Sequence, residues 1–124
     1  MKSREELKIY WHPNCSTCKK ALRFLDHHEI SYHLLDLREA SPSRKEIQAM
    51  WPNYAAEPKR LFNTSGQAYR TKKIKDKIND LSVKEMQSLL TSDGLLVKRP
   101  FLLLNDGKGV VGFKETEWKT LLQL

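Results

Sequence analysis

Cysteine, glycine and long hydrophobic runs are what this sequence has least of. Its 124 residues contain two cysteines and five glycines. Its longest apolar runs, such as Phe101–Leu104, stop far short of the roughly 20 residues that a membrane span needs. Two cysteines cannot staple a secreted disulfide scaffold. No internal repeat or low-complexity tract occurs, and with 40% hydrophobic and 30% charged residues the composition is that of a soluble globular chain. At this length one compact domain over 1–124 is expected. Met1–Lys8 is too charged for a signal peptide, so the expected location is cytoplasmic and no membrane partner is expected.

Acidic residues are also in deficit, 15 against 22 Lys and Arg, for a formal charge of +7. The excess is local. Between Lys59 and Lys77 lie Lys59, Arg60, Arg70, Lys72, Lys73, Lys75 and Lys77, opposed only by Asp76. Such a segment attracts phosphate, an oxyanion, nucleic acid or an acidic protein surface, or serves as a solvated helix face. No base-reading motif accompanies it, and Trp11, Trp51 and Trp118 are not interleaved with it. Direct nucleic-acid binding is therefore not expected, and the tryptophans read as packing residues.

Leu7–Trp11 is a short apolar and aromatic run stopped by His12-Pro13-Asn14, which predicts a strand and a turn. Cys18, Ala21, Leu22 and Leu25 recur at helical spacing, predicting a helix from Ser16 to about His28, and Ile30–Asp36 predicts a second strand. This βαβ opening favours parallel pairing. Ser43 with Glu46, and Ser82 with Glu85, are capping boxes that start two further helices; Leu81 is placed to staple onto Met86. Pro52 should end the first of these, and Gly94 should close the second in a left-handed conformation. Pro58–Phe62 and Ser65–Arg70 read as short helical turns. After Pro100, Phe101–Leu104 and Val110–Gly112 flank Asn105–Gly109 as a hairpin, and a last helix carries Trp118, Leu121 and Leu122.

Both cysteines fall in the single stretch Asn14-Cys15-Ser16-Thr17-Cys18-Lys19-Lys20. A loop passing straight from a strand into a helix presents backbone N–H groups and a positive dipole end. Cys15 lies at that entrance, with Lys19 and Lys20 one turn on, a setting suited to a nucleophilic sulfur. Cys18 shares its helix face and can resolve an adduct formed on Cys15. Other readings are half of a metal site, or Cys18 as a small buried helix residue. Metal ligation lacks partners, because His27 is nine helical residues from Cys18, about 13.5 Å of rise, and only His12 is local. No metal or cofactor is expected. His12 reads as a turn residue, and His27 with His28 as helix-end residues.

The stretches Ile9–Ala21, Phe62–Arg70 and Leu96–Leu103 together resemble the arsenate reductase/Spx (ArsC-like) family of the thioredoxin superfamily. The resemblance spans nearly the whole chain. It implies an α/β thioredoxin-like fold, β-α-β … β-β-α, with an inserted all-helical segment at about 41–97, and a cis Pro100 facing the cysteine loop. It implies a thiol-disulfide oxidoreductase with Cys15 and Cys18 as catalytic pair, Arg99, Pro100, Lys19 and Asn63 at the substrate site, and thioredoxin or glutaredoxin/glutathione as reductant. Family arsenate reductases hold the oxyanion with three arginines. Arg99 matches one, while Asn63 and Lys114 stand at or near the other two, and Lys59, Arg60 and Arg70 are nearby substitutes. The alternative implied is an Spx-like redox-switched regulator that binds the RNA polymerase α subunit, although those regulators carry a charged tail where this sequence ends.

Overall fold

The computed structural model describes residues 7–124. Of the charged segment Met1–Lys8, all but its last two residues lies outside the described part. Four strands, β1 (Lys8–Trp11), β2 (His33–Asp36), β3 (Phe101–Leu103) and β4 (Gly109–Val111), form one sheet in the order β2-β1-β3-β4. β1 pairs parallel with β2 and antiparallel with β3, and β3 pairs antiparallel with β4. The described helices are α1 (Ser16–His27), α2 (Arg44–Met50), α3 (Gln67–Thr71), α4 (Ile74–Lys77), α5 (Val83–Ser92) and α6 (Glu115–Leu122).

Both faces of the sheet are covered, and strand periodicity assigns each side chain its face. Ile9, Leu102, Leu104 and Val110 pack with Ala21 and Leu25 of α1 and Trp118 and Leu122 of α6. Their neighbours Tyr10, Phe101, Leu103 and Val111 pack the other way, against Ile47, Met50, Leu61 and Leu90 of the segment between β2 and β3. The unbroken apolar run at Phe101 is therefore a central strand buried on both sides. β2 is an edge, with His33 and Leu34 exposed.

The inserted segment is fastened to the sheet by polar contacts as well as by its apolar face. Ser43 and Glu46 form the expected capping box at the start of α2, and Ser82 and Glu85 that of α5. Glu46 also accepts from the Tyr10 hydroxyl at 2.6 Å and pairs with Lys8 at 2.8 Å, which ties α2 to β1. Tyr54, in the loop after a 3-10 turn at Trp51–Asn53, accepts the Val111 N–H through its hydroxyl at 2.9 Å and so ties the insertion to β4. The insertion consists of short helices, 3-10 turns and loops, and carries one antiparallel bridge, Phe62 with Val97.

Two local expectations are corrected. The second strand begins at His33, not Ile30: Glu29 takes a left-handed conformation (φ 56°), the Ile30 N–H closes onto the Leu25 carbonyl, and Ile30 packs in the core. Glu29 thus fills a helix-ending position usually given to glycine. Gly94 does not terminate α5 in the left-handed region. Asp93, extended at φ −150°, caps a following 3-10 turn at Gly94–Leu96, and a Cβ on Gly94 would collide with the Leu37 carbonyl. The glycine serves close approach of two backbones.

Candidate functional site

β1 delivers the chain to a turn in which the Cys15 N–H donates to the His12 carbonyl at 3.0 Å. Cys15 is the N-cap of α1, and its sulfur accepts the Cys18 N–H at 3.2 Å, the role usually taken by a serine or aspartate oxygen. Cys18, one turn on, belongs to the buried stripe of the helix with Ala21, Phe24 and Leu25. The two cysteines are 3.0 Å apart and both are free thiols, Cys15 partly exposed and Cys18 fully buried. Burial, followed by the hydrogen bond with Cys15, pushes the Cys18 thiol up to about 12. The geometry thus gives one accessible sulfur beside one that stays protonated.

The Arg99–Pro100 peptide bond is cis, as the resemblance implies, and Pro100 is buried, its carbonyl accepting the Gly112 N–H at 2.9 Å. Arg99 lies near enough to the cysteine loop for its positive charge to lower the pKa of both Cys18 and His12. Nη1 of Arg99 is buried and has no hydrogen-bond partner among the described residues. A guanidinium nitrogen in that state calls for an acceptor from a ligand. His12 has its pKa held below the ordinary imidazole value, first by burial and then by Arg99 and Arg38, with Asp36 opposing. Its Nδ1 accepts the Asn14 N–H at 3.1 Å, so His12 is a turn-forming residue, as expected.

Arg99 opens onto a cavity of about 490 Å³ that also touches Thr17 in the first turn of α1. Lys59, Arg60, Lys98 and Lys114 supply four more cations, Glu57 and Glu117 two acids, and Phe62, Val111 and Phe113 an apolar side. Arg60 lies over the Tyr54 ring at 4.9 Å, an arrangement that holds the guanidinium in place. Of the nearby arginine substitutes the structure thus brings Lys59 and Arg60 to Arg99 and Lys114. Arg70 is elsewhere, donating to the Ser65 carbonyl at 2.9 Å.

Three expected substrate-site residues, Pro100, Lys19 and Asn63, are not part of the wall of this cavity, and neither Cys15 nor Cys18 is; Thr17 is its link to the head of α1. Lys19 is exposed on α1 and is not part of the cavity wall. Asn63 is 8% exposed, with its N–H on the Leu96 carbonyl, and its neighbour Thr64 forms the wall instead. Sequence reasoning missed Thr17, Lys98 and the Tyr54 platform. Thr17 follows Cys15 by two residues and could have been found from helix geometry, whereas nothing local marks Tyr54. Among the described residues no three His, Cys, Asp or Glu side chains group as metal ligands, and no helix is long and apolar enough to cross a membrane.

A mixed four-stranded sheet, a Cys-x-x-Cys at the start of the first helix and a cis-proline before the third strand define a thioredoxin-like protein. The comparisons narrow this class. The ArsC family model matches residues 10–121, and the chain belongs to that family. It is 40% identical over 114 residues to the uncharacterised protein YusI of Bacillus subtilis, covering 91% of this chain and 95% of that one. The crystal structure of a possible arsenate reductase from Streptococcus mutans superposes with a TM-score of 0.81 at 39% identity, covering 91% and 97% of the two chains. The global transcriptional regulator Spx of Lactiplantibacillus plantarum is 27% identical, over 92% of this chain and 84% of the regulator.

Proposed function

We propose that this chain is a cytoplasmic thiol-disulfide oxidoreductase of a single domain, with Cys15 as nucleophile and Cys18 as resolving thiol. The observation that carries the reading is the 3.0 Å approach of a partly exposed Cys15 to a buried Cys18 at the head of α1. In the first step the Cys15 sulfur, as thiolate, attacks a disulfide sulfur of the substrate and expels the other half as a thiolate. The Cys18 thiol then gives up its proton and attacks Cys15 in the mixed disulfide, which releases the second substrate thiol and leaves a Cys15–Cys18 disulfide. Two electrons have moved to the substrate, and thioredoxin, or glutaredoxin with glutathione, returns them. Arg99, with its unpartnered Nη1, holds an anionic group of the substrate.

Arsenate is a narrower version of the same reading. Arg99 and Lys114 stand at or near two of the family's oxyanion positions, and Arg60 on its Tyr54 platform supplies a second guanidinium from a different place. Lysine provides charge without the bidentate fork of arginine, so oxyanion binding here rests on Arg99 and Arg60.

The test is a redox titration read by mass shift after thiol alkylation, paired with Cys18→Ser. A reversible intramolecular disulfide in the cytosolic range, about −220 to −320 mV, and accumulation of mixed disulfides on Cys15 in the variant are expected. Glutathione captured on Cys15 while Cys18 of the wild type stays reduced would replace the two-cysteine mechanism with a one-cysteine one. Similarity to the regulator Spx supports a second reading, in which the same disulfide switches binding to RNA polymerase. Retention of the polymerase that depends on oxidant, without turnover of any disulfide, would select it.

A further inference from the structure

A second cavity, of about 350 Å³, lies in the inserted helical segment. Its wall is Thr64, Tyr69, Arg70, Lys73, Lys75 and Asp76, without Arg99. Three cations against one carboxylate leave it net positive. The guanidinium of Arg70 is held by its bond to the Ser65 carbonyl, and the next lysine along, Lys72, is turned away into a pair with Asp93 at 3.6 Å. The cations of the basic segment are therefore divided: Lys59 and Arg60 line the cavity that holds Arg99, and Arg70, Lys73 and Lys75 this one.

Charge alone would make this an ordinary lysine-rich surface. Tyr69 adds an independent observation. It is 3% exposed, its ring packs beside Phe62 at 6.2 Å between centroids, and its hydroxyl is buried without a hydrogen-bond partner among the described residues. A buried hydroxyl left unpaired costs stability, which a ligand acceptor would recover. Burial raises the phenol, so at neutral pH the hydroxyl keeps its proton and can donate it to an anionic acceptor. Donor hydroxyls from Tyr69 and Thr64, surrounded by three cations, suit a doubly charged group rich in acceptor oxygens.

We propose that this cavity is a second anion site, distinct from the cysteine site, that binds a phosphate group, either free or as a phosphomonoester. Its volume exceeds what phosphate alone fills, which leaves room for the group that carries it. Nucleobase binding is disfavoured because the one aromatic ring in the wall is packed inside the fold and offers no face for stacking. Thr64 is common to both cavities, so an anion here sits next to the Arg99 cavity without entering it. The proposal does not depend on redox turnover.

The experiment is a residue-resolved NMR titration of the full-length protein with inorganic phosphate, and separately with O-phosphoserine, against sodium chloride at matched ionic strength. Saturable amide shifts at Thr64 and over residues 69–76 are expected. Tighter binding of O-phosphoserine identifies a monoester as the ligand, and tighter binding of phosphate a free oxyanion. Tyr69→Phe should weaken binding about tenfold or more, as loss of a hydrogen bond to a charged acceptor does. It should melt no lower than the wild type, because only an unpartnered hydroxyl is removed. The double change Lys73→Gln, Lys75→Gln keeps the fold and should abolish the shifts. Shifts confined to Thr17, Arg99 and Lys114, or shifts that sodium chloride reproduces, would overturn the proposal. So would equal phosphate affinity in wild type and Tyr69→Phe.

Discussion

In the reduced protein at pH 8, iodoacetamide should modify Cys15 and spare Cys18 for as long as the fold stays closed. Cys18 is fully buried, and its thiol is pushed from an ordinary 9.0 up to about 12, first by burial and then by the hydrogen bond with Cys15. Only the thiolate reacts, and each pH unit below the pKa removes a factor of ten. At pH 8 the ionised fraction of Cys18 is about 10⁻⁴, against about 10⁻¹ for an ordinary thiol, so alkylation should be slowed about a thousandfold before steric exclusion is counted. The measurement uses Cys15→Ser, which leaves Cys18 as the lone cysteine and keeps burial, the larger cause, while removing the Cys15 sulfur, and compares its alkylation rate by mass spectrometry in native buffer and in urea. Native and denatured rates within tenfold of each other would refute the reasoning. Cys18 would then be as good a nucleophile as an open thiol, and the division of labour between the cysteines would have no physical basis.

Glu46→Ala should destabilise the protein by about 2–4 kcal/mol in urea unfolding, because it removes a charge-assisted bond to a buried tyrosine hydroxyl and half of a capping box. The exposed Lys8 pair adds little. Burial pushes the Glu46 carboxyl up, but the hydrogen bonds from Lys8, Tyr10 and the Ser43 N–H outweigh it and hold the carboxyl below its ordinary value. A depressed acid stabilises above its unfolded value, near pH 4.5, and loses that contribution as pH falls through the folded value. The Glu46→Ala protein should accordingly show a shallower loss of stability between about pH 5 and 3 than the wild type. Gly94→Ala should cost about 1–3 kcal/mol, since the added carbon meets the Leu37 carbonyl and the backbones must part. A neutral result in thermal unfolding would show that this contact gives way freely.

Much of the fold was legible because its signals are local. The run Leu7–Trp11, the stripe Cys18, Ala21, Leu25, and the serines three residues ahead of Glu46 and Glu85 each act within a few residues of themselves, and each element stands where they place it. The misread positions are those where a distant backbone intervenes. Gly94 looks like a helix terminator in one dimension, yet it is small because Leu37, far away in the chain, passes against it. Glu29 carries a left-handed turn with no glycine to announce it, so the start of β2 came out too early. The continuous apolar run at Phe101 does not say whether one face or two is buried, and the inserted segment settles that by covering the second face.

The chemistry available to this protein is set locally in the chain. Two cysteines at helical spacing at the mouth of a helix, and an arginine that a following proline holds extended, are set by neighbours in the chain. Which cations converge on Arg99 is a matter of the tertiary fold. Lys59 and Arg60 reach Arg99 because the insertion folds back onto the sheet and Tyr54 bonds to Val111, while Arg70, ten residues further, faces a different cavity. Charge in a sequence is a sum along the chain, whereas a binding site needs charges that converge in space. That convergence depends on long-range packing, which no spacing of residues encodes.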